Sequence, residues 1–231
     1  MITNAPSLRI TDWPVAERPR ERLLAGGAAS LSDAELLALF LRSGVMGSSA
    51  VDLSRALLSH FGGLAGLLAA DNARLAAARG LGNASIALLR GALELSRRSL
   101  RDELARGDAL SNPAQVANFL KLWLRDRSFE VFAALFLDAR NRLIVAEELF
   151  RGTLTQTAVY PREIVRRALE VNAAGVILAH NHPSGVAEPS TADRLLTQAL
   201  RAACALVDVQ VLDHVIVAGH QTHSFAAHGG V

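Results

Sequence analysis

The sequence predicts an α+β protein, in which a small all-helical N-terminal domain is followed by a sandwich of helices around one sheet. Two observations lead to this fold class. Up to about residue 110, apolar residues recur at helical spacing and no segment has a convincing strand pattern. Beyond that point, short apolar runs typical of strands alternate with amphipathic helical segments. The composition therefore changes where we expect the domain boundary.

The first half of the chain is predicted to contain three segments: an extension, a helical domain and a polar linker. Residues 1–20 are predicted to be an N-terminal extension and residues 21–100 a helical domain. Three stretches of that domain combine helical periodicity with Ser or Asp at plausible N-caps and Gly at plausible ends: SLSDAELLALFLRSG, AVDLSRALLSHFGGLAGLLA and SIALLRGALELSRRSL. Residues 101–113, RDELARGDALSNP, are polar and end in Asn-Pro, a helix-start signal, so we expect a linker there.

Residues 114–231 are predicted to form the second domain. It begins with a helical segment, AQVANFLKLWLR. The predicted strands that follow are EVFAALFLD, RLIVAEELF, LTQTAV, GVILA and VDVQVLDHVIVAG. Two predicted helices interrupt them, REIVRRALEV and TADRLLTQALRAA.

The composition argues against several classes of protein. No apolar run reaches the roughly 18 residues of a membrane span, and MITNAPSLRITDWP lacks the pattern of a signal peptide. The single cysteine, Cys204, forms no internal disulfide and lies in an apolar helical stretch, so we expect a core residue in a cytoplasmic protein. A formal net charge of +2 is far from the strongly basic footprint of a dedicated nucleic-acid-binding protein.

His180 and His182 stand where the predicted strand GVILA leaves the sheet. In a strand, side chains two residues apart point to the same face, so the two imidazoles project together. A Pro-Ser-Gly turn follows, and the next helix starts near Ser190 with Asp193 in its first turn. Two imidazoles and one carboxylate make a three-ligand zinc site with an open position for a reactive water. Alternatively, Ser190 and Asp193 form a capping box, which explains both residues without a metal.

The longer pattern around this site resembles a known family. The residues H-x-H-P from His180 and S-x-x-D from Ser190 are similar to the JAMM motif of MPN-type (JAB) zinc isopeptidases, and HNHPSG, PSTAD and YPREIVRRAL resemble the bacterial RadC family more closely. In the first half, ERPRERLL, LSDAELLALFLRSG, HFGGLAGLL and GLGNASIALL resemble that family's helical domain. The resemblance covers nearly the entire chain. It implies an α/β/α sandwich with a mixed sheet, as in JAB/MPN domains and the related cytidine-deaminase-like architecture. It also implies that His180, His182 and Asp193 bind Zn²⁺ and that Ser190 helps to stabilise an oxyanion.

A hydrolase of this kind also needs a general base, and the resemblance places it at Glu130. This residue opens the predicted strand EVFAALFLD, so its carboxylate lies either at the exposed edge of the core or near the metal. Glu163 is the competing glutamate, but an acid in the first turn of a helix begun by Pro161 also favours the helix dipole. The implied mechanism is hydrolysis of a peptide or isopeptide bond in a peptide or protein substrate. Glu130 takes the proton of a zinc-activated water and passes it to the leaving amine, while Ser190 and the metal stabilise the tetrahedral oxygen.

Two departures from these families lie in the predicted second domain. Asn181 stands where isopeptidases of the ubiquitin system usually have Ser or Thr, so a ubiquitin-like substrate does not carry over. Tyr160 stands where RadC-type sequences commonly have His, so any role of that His is absent. The His-x-Glu and Pro-Cys-x-x-Cys motifs of zinc deaminases are missing, which excludes deamination.

A second function remains open from the sequence. The segment GLGNA resembles the hairpin of a helix-hairpin-helix module, whose backbone amides can hold a DNA phosphate. In this alternative the protein is a DNA-associated repair or recombination accessory protein. Its helical half binds DNA weakly and without sequence preference, and its zinc is structural. Four arginines could contact phosphate, or could simply form a solvated helix face: Arg90, Arg97, Arg98 and Arg101.

The remaining histidines are not predicted to bind the metal. His214 alternates with apolar residues in VLDHVIV, so we expect a hydrogen-bonded strand residue. The last three, in a C-terminal hairpin and tail, are expected at exposed turns: His220, His223 and His228.

Overall fold

The structure, a computed structural model, describes residues 10–125, 127–152 and 159–230. Within these residues the chain is an α+β protein, as predicted, with helices before residue 131 and a five-stranded sheet after it. The chain divides into two units, the first ending at Glu94 and the second beginning at Leu95. No described helix combines the length and the apolar character that crossing a membrane requires.

In the first unit, capping residues in the sequence mark where the helices begin and end. Ser32 caps one helix in a capping box with Glu35, and Ser49 caps the next by accepting a hydrogen bond from the Asp52 N–H. Gly62, with a φ of 73°, ends that second helix in the left-handed conformation. The described helices are α1 (Pro19–Gly26), α2 (Asp33–Leu41), α3 (Ala50–Phe61), α4 (Leu64–Ala69), α5 (Asn72–Ala77) and α6 (Asn83–Arg106).

The core of the first unit is formed by the apolar residues that give these segments their helical periodicity. They pack in one cluster of Leu37, Leu41, Leu53, Leu57, Phe61, Leu67, Ala70, Leu75, Leu81, Ile86 and Leu89. Of the predicted N-terminal extension, residues 1–9 lie outside the described part of the chain. Its remainder contains two short 3₁₀ turns, Ile10–Asp12 and Val15–Glu17, and the start of α1.

The second unit contains the mixed sheet that the sequence predicts. Its elements are α7 (Pro113–Leu124), β1 (Val131–Leu137), β2 (Leu143–Arg151), α8 (Pro161–Glu170), β3 (Gly175–Asn181), α9 (Thr191–Ala205), β4 (Gln210–Ala218) and β5 (Gln221–Ser224). The strand order is β2-β1-β3-β4-β5, with β3 and β4 parallel and the other neighbours antiparallel. The predicted strand LTQTAV spans residues 154–159, and residues 154–158 lie outside the described part of the chain.

Both faces of the sheet are covered by helices, which is why β1 is apolar at every position. Alternate side chains of β1, beginning with Val131, pack against α7 through Phe119, Leu120 and Leu124. The intervening side chains, beginning with Phe132, enter a second cluster, in which the contributions of α8 and α9 are Ile164, Ala168, Leu200 and Cys204. Cys204 is therefore a core residue, and burial raises the pKa of its thiol to about 11. This two-sided packing is the predicted helix–sheet–helix sandwich.

The segment predicted as a linker is partly helical. Residues 101–106 continue α6, and Leu104 is buried in the same cluster as α7 and β1. The Gln115 side chain also donates a hydrogen bond to the Glu103 carboxylate at 3.0 Å. Asn112 caps α7 by accepting a hydrogen bond from the Gln115 N–H, as the Asn-Pro signal predicts. The helix continues here because Leu104, together with Leu100 one turn before it, packs into the core of the second unit.

Candidate metal centre

The candidate site lies where β3 ends, between β1 and β4. His180 is paired with Phe132 of β1 and with Ile216 of β4, and its side chain is buried. The His182 N–H donates to the Val217 carbonyl at 2.8 Å, so β3 keeps its alignment with β4 through this residue. The alternation of a strand therefore puts both imidazoles on one face of the sheet.

A sharp turn follows and leads to the third residue. Gly185 has a φ of +82°, in the left-handed region that favours glycine, and its N–H donates to the His182 carbonyl at 3.1 Å. Helix α9 then begins at Thr191, with Ser190 as its N-cap and Asp193 in its first turn. The turn and the helix start therefore return a carboxylate to the two imidazoles.

The three side chains bring one nitrogen or oxygen atom each to a common point. The Nε2 atoms of His180 and His182 are 2.9 Å apart, and Asp193 Oδ1 is 3.2 Å from His180 Nε2. All three candidate ligand atoms lie within 4.8 Å of one another. Ligands at the usual 2.0–2.1 Å from a tetrahedral zinc would be about 3.3 Å apart. The donor set and its spacing therefore fit zinc.

The second nitrogen of each imidazole has its own partner. His182 Nδ1 lies 2.7 Å from the Val186 carbonyl, which can only accept, so this nitrogen carries the proton. His180 Nδ1 lies 2.8 Å from His214 Nε2. Such partners are what orient metal-binding histidines and direct the other nitrogen at the metal.

Asp193 caps the helix with Oδ2, which also lies 3.6 Å from His182 Nε2, and it faces His180 with Oδ1. Its Oδ2 accepts hydrogen bonds from the Ser190 N–H at 2.7 Å and the Ser190 hydroxyl at 2.6 Å. Its Oδ1 is the atom nearest His180. Burial alone would raise the pKa of Asp193, but the contacts of its carboxylate with the imidazoles of His180 and His182 and the hydrogen bond from the Ser190 hydroxyl outweigh it and hold the pKa well below its usual range. The carboxylate is thus held ionised, as a ligand must be, and in turn it raises the pKa of His182.

The Ser190 hydroxyl is already engaged in this arrangement. It accepts from the Asp193 N–H at 3.1 Å and gives its only proton to Asp193 Oδ2. The oxyanion role of Ser190 stays a prediction, and it requires the hydroxyl to exchange its partner for the substrate oxygen.

Glu130 is half-buried and directly precedes β1. Its charge is one of the contributions that raise the pKa of His182, which places the carboxylate within electrostatic reach of the imidazole. Among the described residues, no hydrogen bond or ion pair engages that carboxylate, and Glu130 does not belong to the three-ligand group. Glu163 instead pairs with Arg166, at 3.0 Å, in the first turn of α8. Glu163 is thus held in an ion pair on α8, and the base role of Glu130 stays a prediction.

Asn181 makes contacts that were not predicted from the sequence. The buried Asn181 amide accepts a hydrogen bond from the Val131 N–H at 2.8 Å and donates one to the Phe129 carbonyl at 3.0 Å. These two backbone groups lie on either side of Glu130. A signal was present, because an amide side chain in a buried strand must find partners for both its donor and its acceptor.

His214 is a buried, hydrogen-bonded strand residue, as predicted, but its partners place it directly behind the site. It contacts His180 on one side and Thr197, through a 2.6 Å contact to Oγ1, on the other. His223 and His228 stack on each other with ring centroids 4.2 Å apart and do not join the ligand group.

This fold and this three-ligand centre define a JAB-type domain, and comparison with known proteins agrees. The chain belongs to the RadC family: residues 110–230 match the model of the RadC-like JAB domain, and residues 10–87 match that of the UPF0758 N-terminal domain. A UPF0758 protein of Thioalkalivibrio sulfidiphilus is 62% identical over 220 residues, covering 95% of this chain and 98% of that protein. A UPF0758 protein of Thiobacillus denitrificans is 59% identical over 222 residues, covering 96% and 99%. The family resemblance predicted from the motifs is thereby confirmed.

Proposed function

We propose that this protein is a zinc-dependent hydrolase of peptide or isopeptide bonds, with zinc bound by His180, His182 and Asp193. The observation that carries the proposal is the convergence of three ligand atoms within 4.8 Å. In the metal-binding form, His180 and His182 both present Nε2, while Asp193 presents Oδ1.

The number of ligands favours catalysis over a structural role for the metal. Structural zinc is normally closed by four protein ligands, whereas catalytic zinc keeps one position for water or substrate. Within the described part of the chain, the group contains three such side chains and no fourth His, Cys, Asp or Glu. The alternative of a DNA accessory protein has less support, since Arg90 of the proposed phosphate contacts donates its guanidinium to the Leu68 and Ala70 carbonyls.

The residues of the chain would divide the chemistry as follows. A bound zinc would supply a Lewis acid and a water of lowered pKa at this position. Glu130 accepts a proton from the attacking water and passes it to the nitrogen of the leaving amine. Asn181 holds the backbone on both sides of Glu130 and so fixes where that proton is accepted. Ser190, once turned from Asp193, donates a hydrogen bond to the oxygen on which charge develops.

The test combines metal analysis with a screen of peptide and isopeptide substrates. We expect about one zinc per wild-type chain, and His182→Ala should lose stoichiometric zinc while circular dichroism shows that the helices persist. Glu130→Gln keeps the shape but removes the base, so zinc content should stay and hydrolysis should fall by about 10² to 10⁴. Glu163→Gln is the matched control and should keep its activity.

Two results would contradict the assignment in different ways. Full zinc content in His182→Ala would refute the metal centre. Loss of activity in Glu163→Gln, with wild-type activity in Glu130→Gln, would leave the metal centre in place and show that the base is the other glutamate.

A further inference from the structure

We propose that His214 and Thr197 are positioning residues that fix the tautomer of His180, so that its Nε2 is free to bind the metal. The inference rests on the metal centre of the proposed function, but it concerns residues to which neither the motif nor the family assignment gives a role. Its basis is a chain of hydrogen bonds that leaves one metal ligand and returns to another.

This series of hydrogen bonds consists of three consecutive short contacts in the protein interior. His180 Nδ1 is 2.8 Å from His214 Nε2, and His214 Nδ1 is 2.6 Å from Thr197 Oγ1. Thr197 Oγ1 is in turn 2.6 Å from the backbone carbonyl of Asp193. The side chains of His180, His214 and Thr197 are all 1% exposed or less, so bulk water does not replace any of these partners.

The last contact fixes the direction of all the protons. A carbonyl oxygen only accepts, so the Thr197 hydroxyl must donate to Asp193, the usual bond of a helical Thr to the carbonyl four residues earlier. The Thr197 oxygen is then available to accept the Nδ1–H of His214. A neutral imidazole has a single N–H, so His214 Nε2 accepts, and the proton between the two imidazoles belongs to Nδ1 of His180.

His180 is thereby left with a lone pair on Nε2, the nitrogen that faces His182 and Asp193. The chain also connects two of the three proposed ligands behind the site, since it starts at His180 and ends on the residue that supplies the carboxylate. The two nitrogens of the fully buried His214 ring face the His180 imidazole and the Thr197 hydroxyl, so a charge on this ring would be buried without a carboxylate beside it, which favours the neutral form.

Packing holds the His214 ring in the required orientation. The ring stacks on Phe225, with centroids 5.0 Å apart and an angle of 15° between the planes, and it meets Phe132 edge-on at 5.5 Å. A ring held between two aromatic side chains cannot exchange its nitrogens without moving them. The choice left to His214 is therefore its tautomer, and the Thr197 hydroxyl determines it.

Removing only the hydroxyl tests this directly, and Thr197→Val does so with little change of shape. Without an acceptor at this position, His214 can place its proton on Nε2 and donate to His180, which moves the His180 proton to the metal-facing nitrogen. We expect zinc affinity, measured on the full chain by competition with a chelator, to fall about 10- to 100-fold, as for other residues behind metal ligands. Thr197→Ser keeps the hydroxyl and should stay within a few-fold of the wild type.

The tautomer itself is read from imidazole ¹⁵N chemical shifts of the zinc-free protein at alkaline pH. Two acceptors near His180 Nε2, the His182 Nε2 lone pair at 2.9 Å and the Asp193 carboxylate at 3.2 Å, favour the opposite tautomer in the zinc-free protein, so the measurement discriminates between the two. We expect the His180 proton on Nδ1 in the wild type and in Thr197→Ser, and on Nε2 in Thr197→Val. This measurement on the wild type needs no variant to fold.

The outcomes separate this inference from the hydrolase. A wild-type His180 protonated on Nε2, or unchanged zinc affinity in Thr197→Val, would overturn it. A protein that binds zinc but hydrolyses no substrate would refute the catalytic function and leave the tautomer assignment standing. A wild type that binds no zinc would refute the metal centre, and this inference with it.

Discussion

Replacing Asn181 with alanine should destabilise the second unit more than an ordinary loss of two hydrogen bonds. The Asn181 amide is buried, and it is the partner of the Val131 N–H and the Phe129 carbonyl. Alanine removes both contacts and leaves one backbone donor and one backbone acceptor unpaired. The effect is therefore a desolvation penalty in addition to the lost bonds.

The magnitude follows from the burial of the two groups. A buried polar group left without a partner costs about 1–3 kcal/mol. Val131 is fully buried, and its N–H should incur the full penalty, while the partly buried Phe129 gives its carbonyl some access to water. We expect the free energy of unfolding to fall by about 2–4 kcal/mol, and the melting temperature of a unit of this size by about 6–16 °C.

Calorimetry of the zinc-free protein measures this change, and Asn112→Ala is the matched control. Asn112 loses one exposed contact, its cap of the Gln115 N–H, which should cost only about 1 kcal/mol. Zinc content should survive in Asn181→Ala because the β ladders hold His180 and His182, whereas hydrolysis should fall as Glu130 loses its fixed backbone. If Asn181→Ala is no less stable than Asn112→Ala, the bridging role of the amide is refuted.

Two further predictions concern carboxylates. Ser190→Ala should cost about 1 kcal/mol in thermal unfolding. It should keep stoichiometric zinc at a weaker affinity, because the N–H of residue 190 still holds Asp193 Oδ2. Asp193→Asn should lose zinc in metal analysis, and the reverse pattern would reduce Asp193 to a helix cap. Hydrogen bonds from the Arg142 side chain and from neighbouring backbone N–H groups lower the pKa of Asp138 from 3.8 to about 2. A lowered pKa gives stability above about pH 4 that is lost as the pH falls towards 2. The difference in stability between wild type and Asp138→Asn, from urea unfolding at several pH values, should therefore shrink across that window, and a constant difference would contradict the assignment.

The strands that carry the core could be predicted because each is a continuous apolar run covered on both faces. The run VFAALFL of β1 is buried at all seven positions, and GVILA of β3 likewise. The order of the strands and the parallel pairing of β3 with β4 could not be predicted, because they depend on how the helices pack across the sheet. Hydropathy also does not predict β5, because its four residues, QTHS, are polar and partly exposed.

The predicted linker is partly helical although its composition is polar. Residues 101–106 are mostly charged, and their polarity outweighed the spacing of Leu100 and Leu104. Two leucines four residues apart continue one face of a helix, and both contribute to the core of the second unit. The periodic signal was therefore present, but it rested on two residues.

The candidate site divides in the same way between local and distant contributions. His180 and His182 could be predicted together because their spacing and the strand before them fix their common face. His214 and Thr197 follow His180 by 34 and 17 positions, and nothing in their local sequence joins them to it. Only the pairing of β4 with β3, and the packing of α9 on the same sheet, brings their side chains to the back of the site.

The sequence presented Asp193 as either a helix cap or a metal ligand, and the geometry makes these roles compatible. A carboxylate has two oxygens, and the cap uses Oδ2 while Oδ1 is directed at His180. The two hydrogen bonds from Ser190 restrict the rotation of the carboxylate, so the cap holds the second oxygen towards His180 before any ion binds. A ligand fixed in this way loses less conformational freedom on binding, which favours affinity without a new contact. The pattern S-x-x-D therefore has two roles that depend on the same hydrogen bonds. It caps the start of α9, and the cap positions the Asp193 carboxylate as a ligand.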